Sequence, residues 1–391
     1  MPYLPLFLQA RGLPASRIGL LLGCLEIAGM IGPLLIGRMA DKLAAYRVLL
    51  AACFIVPIAA FIPMEMTLLF PVYLACVIAM GFTWRAAIPL LDSLMSRVLP
   101  DPARQYGRLR VAGSVGFIAI SLLLYVTGWV SGGSSLAILL AFVSAAACAA
   151  LVVGFLPSPP KNPLGGEGGN SGDTARVVTT QAVTTQAVTT QAAAARPFEG
   201  FDLKFWAVIG VVFLGRFGMG AYYSFFSLYL KQTFPAASVS LLWAIGPLAE
   251  IVTIWFSGPL IRRWGIRTLL IVSLAAISAR LGFFIVAPSI AAVALAQLLH
   301  ALAFGTFHTT AIAYVNGKVA HEKRGMGMAI YGAVGNGLPS FLASVAGGYL
   351  LQCRGFVTLF LTYAVVPLLG IVVLTAFGSK LLPRHARTAR R

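Results

Sequence analysis

Charge is scarce in this chain. Only 10% of its 391 residues are Asp, Glu, Lys or Arg, whereas a soluble globular domain carries about a quarter. Acids are scarcer still, 11 against 29 basic residues. The five cysteines (Cys24, Cys53, Cys76, Cys148 and Cys353) lie in or beside apolar runs with no Cys-x-x-Cys spacing, so no disulfide or thiolate–metal framework is implied. No nucleophile elbow, phosphate-binding loop or metal-ligand constellation is present. An enzyme is not expected, nor any cofactor or metal. The net charge of +18 could suit nucleic acid, but the basic residues fall in short clusters between apolar runs. That is the pattern of membrane anchors, and no nucleic-acid partner is expected.

Apolar residues are abundant. They make up 59% of the chain, and the mean hydropathy is +0.90. These values describe an integral membrane protein whose solvent is the lipid bilayer. At roughly 30 residues per helix and loop, the length accommodates about twelve spans. Long apolar runs without alternation cannot be barrel strands, so the spans are helices. A stub at 1–10 is followed by spans near 17–37, 48–63, 68–95, 109–130 and 135–156, then by spans near 205–230, 238–261, 267–287, 289–315, 325–350 and 355–379.

Lys and Arg distribution orients them. Loops after even-numbered spans, the central linker and the carboxyl tail hold 22 of these residues, whereas the opposite loops hold only Arg11, Arg17, Lys231 and Arg354. The basic side faces the cytoplasm, in a bacterial-type inner membrane. The division expected is an N-terminal bundle at 1–156, a flexible cytoplasmic linker at 157–203, a C-terminal bundle at 204–380 and a basic tail at 381–391. The linker contains VVTTQAVTTQAVTTQA, which has almost nothing to bury and suits a tether.

The two bundles are a repeat. GPLLIGRMADKL (32–43) ends the second span and WFSGPLIRRWGIR (255–267) ends the eighth. Aligning Gly37 with Gly258 also aligns Asp41 with Arg262. Duplicated six-helix units mark secondary transporters, whose substrate site lies between the halves.

GRMADKL at 37–43 resembles the loop signature of the major facilitator superfamily, Gly-x-x-x-Asp-Arg/Lys, with Asp41 and Lys42 in place and Ala44 where a second Gly is usual. PLLDS (89–93), YGRLRVAGSVGF (106–117), LLWAIGPLAEI (241–251) and QLLHALAFGTFH (297–308) resemble the phenylpropionate permease group, relatives of the lactose and nucleoside proton symporters. The resemblance implies an all-α fold of two six-helix bundles and a monomer that carries a small organic solute together with protons. An aromatic carboxylate is the cargo it suggests. Sugar or nucleoside symport, drug efflux, or a non-transporting membrane sensor are the alternatives.

Ionisable groups at mid-bilayer cost several kcal/mol, so each is a functional candidate. Glu26, Arg85, Asp92, Arg216, Glu250 and Arg280 stand out, with His300 and His308 in the tenth span. In the lactose-permease relatives, a Glu, an Arg and a His on helices eight, nine and ten handle the proton. By that resemblance Glu250 accepts it and Arg280 modulates it; a static Glu250–Arg280 pair is the structural alternative. His300 and His308 are eight residues apart, roughly 80° around an α-helix, so they do not share a face. Arg85 and Asp92, seven apart, do share one, with Pro89 bending the helix between them. Arg85 and Arg216 are the candidate carboxylate ligands, because a guanidinium matches a carboxylate in two hydrogen bonds. Pairing with Glu26 or Asp92 is the alternative for each. Asp92 can also pair with Arg108 or Arg110. Gly37, Asp41, Lys42, Gly258 and Arg262 form the conformational loop motif. Tyr222, Tyr223, Phe225, Phe226, Trp243 and Trp255 can line an aromatic site or pack.

One oddity remains at the amino terminus. The segment matched to Met1–Leu8 in the second half ends a helix of 26 residues, 205–230. The first half supplies eight. The expectation is a truncated helix one, from a start codon placed too far downstream or from a shortened protein.

Overall fold

A computed structural model describes residues 2–98, 102–130, 133–156 and 201–382. The pentad-repeat linker and most of the basic tail lie outside the described residues. Within them the chain is helical and carries no strand. In hydrocarbon a helix satisfies its own backbone, which an open strand cannot do.

The first half runs α1 (Leu4–Ala10), α2 (Ala15–Leu43), α3 (Tyr46–Met66), α4 (Phe70–Trp84), α5 (Ala87–Val98), α6 (Pro102–Thr127) and α7 (Ser135–Gly154). The α4–α5 pair is one bent pass. Pro89 has no N–H to donate to the carbonyl of Arg85, and the helix breaks at Arg85 and Ala86. That break corrects the expected shared face. Arg85 is exposed and Asp92 is buried, on either side of the break.

The second half runs α8 (Leu203–Thr233), α9 (Val239–Trp255), α10 (Ser257–Val286), α11 (Ile290–Leu298), α12 (Phe307–Lys318), α13 (Arg324–Ile330) and α14 (Leu338–Leu381). Two of these contain a turn between passes, at Gly265 (φ 75°) in α10 and at Gly355 (φ 75°) in α14. Asp202, Ser238 and Ser289 cap helices, each accepting a hydrogen bond from a backbone N–H three residues on. Among the described residues, eight stretches are long and apolar enough to cross a membrane by themselves, one of them, Arg324–Gly378, long enough to cross twice.

The repeat is visible in the backbone. Ala44, which ends α2 at φ 50°, aligns with Gly265 under the register that pairs Gly37 with Gly258. Both halves turn from second to third pass through a left-handed residue. Asp41 accepts a hydrogen bond from Tyr46 Oη at this turn. Arg262 lies back along its helix toward Gly258, where an added Cβ would stand 3.4 Å from Arg262 Nη1.

Contacts between the halves gather at one end. α2 crosses α14 at Gly19 and Gly348; a Cβ on Gly19 would lie 2.3 Å from the carbonyl oxygen of Ser344. Small residues permit this approach, as they do between membrane helices. The backbone N–H of Ser16 donates to Gln352 Oε1 at 3.1 Å. α1 belongs to the same joint. Its Leu4, Leu6, Phe7 and Leu8 are buried. Just before it, the Pro2 carbonyl accepts from Ser227 Oγ at 2.6 Å, and Tyr3 Oη accepts from the Ser240 N–H at 3.1 Å. α1 has 7 residues and its repeat mate α8 has 31. At the other end the bonds shown stay within a half: Arg267 Nε donates to Leu374 O at 2.9 Å and Lys318 pairs with Asp202 at 2.7 Å.

Candidate functional site

Helices α8 to α12 enclose a polar cluster in the second half. α9 brings Glu250, α10 brings Arg280, and the pass made by α11 and α12 brings Gln297, His300, Phe304 and His308. Between α11 and α12 the chain is π-helical, Ala301–Thr306, a local distortion frequent at functional sites. Two features of α9 accommodate it. Thr253 Oγ1 donates to the Ala301 carbonyl at 2.9 Å, tying α9 to the start of the widened turn. Gly305 has no side chain where a Cβ would meet Thr253 Oγ1 at 2.4 Å.

The π segment corrects the expected separation of the two histidines. More residues per turn bring side chains eight apart back toward one face. His300 and Phe304 stack at 5.5 Å with planes 8° apart, and Phe304 and His308 stack at 5.4 Å with planes 6° apart. The result is a column of three parallel rings.

Arg280 is 2% exposed. It does not pair with Glu250, so the static Glu250–Arg280 pair is not formed. Its Nη1 lies 2.8 Å from His300 Nδ1, its other terminal nitrogen donates to Gln297 Oε1, and its guanidinium lies 3.7 Å from the centre of the Tyr222 ring. His300 stands between the two, with Nε2 3.4 Å from Glu250 Oε2. That carboxylate oxygen is buried and has no aligned hydrogen bond. A Cβ on Gly246 would lie 2.9 Å from the His300 ring, so glycine at that position lets α9 and the histidine approach.

Arg216, on α8, is half-buried beside the ring column. Its guanidinium lies 4.7 Å from the Tyr223 ring centre and 5.9 Å from that of Phe304. Its Nε donates to Ser340 Oγ at 3.1 Å. Among the described residues no carboxylate pairs with it. His308 Nδ1 lies 2.7 Å from Tyr331 Oη, at the start of a second π segment, Tyr331–Gly337.

The first-half candidates lie elsewhere. Arg85 pairs with Glu26 across α2 and the α4–α5 bend; its side chain packs where a Cβ on Gly29 would be. Asp92 is buried on α5, and the side chains of Arg108 and Arg110 lie outside the described residues. Of the aromatics, Tyr222, Phe225 and Phe226 are buried, Trp255 is exposed, and Tyr223 and Trp243 border the cluster. Sequence reasoning missed Gln297, Tyr331 and Ser340. Gln297 was legible in principle, three residues before His300 in QLLHALAFGTFH.

Apolar passes in two repeated halves, with buried charge gathered between helices, define a multi-pass membrane transporter. Residues 1–362 match the family model described as the MFS_1 like family, and the chain belongs to this branch of the major facilitator superfamily. It is 26% identical over 362 residues to the "Probable 3-phenylpropionic acid transporter" of Escherichia coli (strain K12), covering 91% of this chain and 87% of that one. It is 24% identical over 397 residues to the maltose permease of Geobacillus stearothermophilus, covering 99% and 91%. Its fold matches a crystal structure of the nucleoside transporter NupG with a TM-score of 0.80 at 16% identity, covering 96% of this chain and 94% of that one. These relatives are transporters, not enzymes.

Proposed function

We propose that this transporter moves an aromatic carboxylate, similar to 3-phenylpropionate, together with a proton by alternating access of its two halves. The observation that carries the reading is Arg216: a cation in an apolar interior, among aromatic rings, without a carboxylate partner among the described residues. Burying an unpaired charge is costly. A substrate carboxylate supplies the counter-ion, and the substrate ring packs against Tyr223, Phe304 and the histidine column. Arg85 already has Glu26 as counter-ion and needs no ligand; Asp92 and Glu26 then serve structure or gating in the first half.

Glu250 carries the proton in this reading. Protonated, it is neutral in an apolar wall; ionised, it faces the His300–Arg280 cluster. A change of conformation that alters its distance from that cluster exchanges one state for the other. His308, bonded to Tyr331, borders the substrate side. The molecule works as a monomer in a bacterial-type inner membrane, with 157–203 and 381–391 in the cytoplasm and bundles at 1–156 and 204–380. The joined end, at Gly19 and Gly348, then faces outward, and the loop motif of Gly37, Asp41, Lys42, Gly258 and Arg262 lies on the cytoplasmic side. The relative named maltose permease motivates a sugar as the second reading.

The test is counterflow in proteoliposomes with radiolabelled 3-phenylpropionate and maltose, with and without an imposed proton gradient. The expected result is carboxylate exchange that a gradient drives uphill and that Glu250→Gln uncouples. Maltose exchange without carboxylate exchange would overturn the carboxylate reading. Full uphill accumulation by Glu250→Gln would overturn its proton role.

A further inference from the structure

Five polar groups in the second half form a series in which three hydrogen bonds force the donor and acceptor roles as far as His300. It begins at the backbone carbonyl of Leu242 on α9, which can only accept. Gln297 Nε2 lies 2.9 Å from it and must be the amide nitrogen. Gln297 is 0% exposed, and its other amide atom faces Arg280. A guanidinium can only donate, so that atom is the oxygen. Flipping the amide would set carbonyl against carbonyl and N–H against N–H. The orientation follows from chemistry alone.

The next link is set the same way. Arg280 Nη1 lies 2.8 Å from His300 Nδ1 and has only protons to offer, so Nδ1 must be the bare, accepting nitrogen. The ring's proton is therefore on Nε2, and Nε2 is the atom 3.4 Å from Glu250 Oε2. A carboxylate can only accept. The series ends with this donor nitrogen beside Glu250, close to the carboxylate but not aligned with it as a hydrogen bond.

We infer that Gln297 is a positioning residue for proton coupling: it fixes Arg280, and through Arg280 holds His300 as the Nε2–H tautomer facing Glu250. This rests on the reading of Glu250 as proton carrier. Tyr222 steadies the arrangement from α8. Its ring lies under the Arg280 guanidinium, and its hydroxyl is 3.4 Å from Gln297 Nε2. The other charged and titratable groups around His300 are consistent with this direction. From α8 come Tyr223, whose ring centre is 6.3 Å away, and Arg216 beyond it; from the histidine's own pass comes His308, on the far side of Phe304. Glu250 is the acid of the group, and the polarised histidine faces it. A protonated Nδ1 would set two donors against each other, so a proton arriving at Glu250 does not pass through Nδ1.

Three measurements test this on the full-length protein. In the first, nitrogen chemical shifts of 15N-histidine-labelled wild type, with His300 assigned by comparison with His300→Gln, should show Nδ1 unprotonated and Nε2 protonated at neutral pH. The opposite tautomer would overturn the inference, and this result needs no Gln297 variant to fold. In the second, Gln297→Leu is compared with wild type. Gln297→Leu should lose uphill accumulation about tenfold more than counterflow and shift the pH profile of uptake, since a hydrogen bond to a charged group is removed. An unchanged pH profile in a folded Gln297→Leu would sink the idea. In the third, Glu250→Gln runs in parallel. If it still accumulates substrate uphill, the proton reading of Glu250 fails separately, while the nitrogen spectra still decide the tautomer.

Discussion

Ala44 and Gly265 occupy the same turn in the two halves, at φ 50° and φ 75°. Both close the turn from the second to the third pass, and only one of them is glycine. A left-handed conformation costs an L-residue about 1–2 kcal/mol; glycine adopts it freely but loses more chain entropy on folding. Nothing lies within 4 Å of a Cβ on Gly265, so the backbone alone decides there. Ala44→Gly should stabilise the protein by roughly 0.5 kcal/mol, and Gly265→Ala should destabilise it by about 1 kcal/mol. Thermal unfolding of the purified protein in detergent reads both, and shifts in the same direction would refute the argument.

Arg216→Ala should raise the apparent KM for a carboxylate substrate about tenfold or more, the value of a lost charge-assisted hydrogen bond. The double variant Arg85→Met/Glu26→Met removes both partners of an existing pair and should leave that KM within about threefold. Initial-rate uptake separates the two. Equal effects would mean that Arg216 has no special tie to the substrate.

Gly348→Val should open the joined end. Its Cβ would lie 2.5 Å from the Ala15 carbonyl oxygen and its branches beyond that. Overpacking costs about 1–3 kcal/mol, enough to shift a two-state population tenfold. A cysteine placed at Ser16 should then react at least several-fold faster with a membrane-impermeant maleimide. Unchanged labelling in a folded variant would show that this crossing does not control the end.

Acid should loosen the start of α8. The Asp202 carboxyl is held below its ordinary value, first by the hydrogen bond from Lys318 Nζ and then by the N–H of Phe205. A depressed carboxyl stabilises the fold above the unfolded-state value, near 3.9, and loses that contribution as pH falls through the lower folded value. Side-chain exposure of 36% for Lys318 and 48% for Asp202 limits it to about 1 kcal/mol at most. Asp202→Asn should therefore melt slightly lower than wild type at pH 7. The two should converge as pH drops below the carboxylate range, measured by thermal unfolding against pH.

Much of the architecture was already legible in the residues. Apolar runs of membrane length have one stable backbone solution in lipid, so the helical, multi-pass character followed from composition. The duplicated GPL segments gave the repeat, and the turn at Ala44 and Gly265 confirms its register. The candidate site was legible only as an inventory. Glu250, Arg280 and His300 were each conspicuous as charge in an apolar run, but their order of contact was not.

Sequence by itself determined that the chain spans a membrane in two related halves and which helices carry buried charge. Both are consequences of transfer energies that depend on residue type alone. Tertiary structure decided which charges meet. The fourth pass breaks at Arg85 and Ala86, with Arg85 exposed and paired with Glu26 and Asp92 buried. The π segment at Ala301–Thr306, supported by Thr253 and made room for by Gly305, turned His308 onto the face of His300. That change of helical period is stabilised by a neighbouring helix, and no property of residues 301–306 taken in isolation announces it.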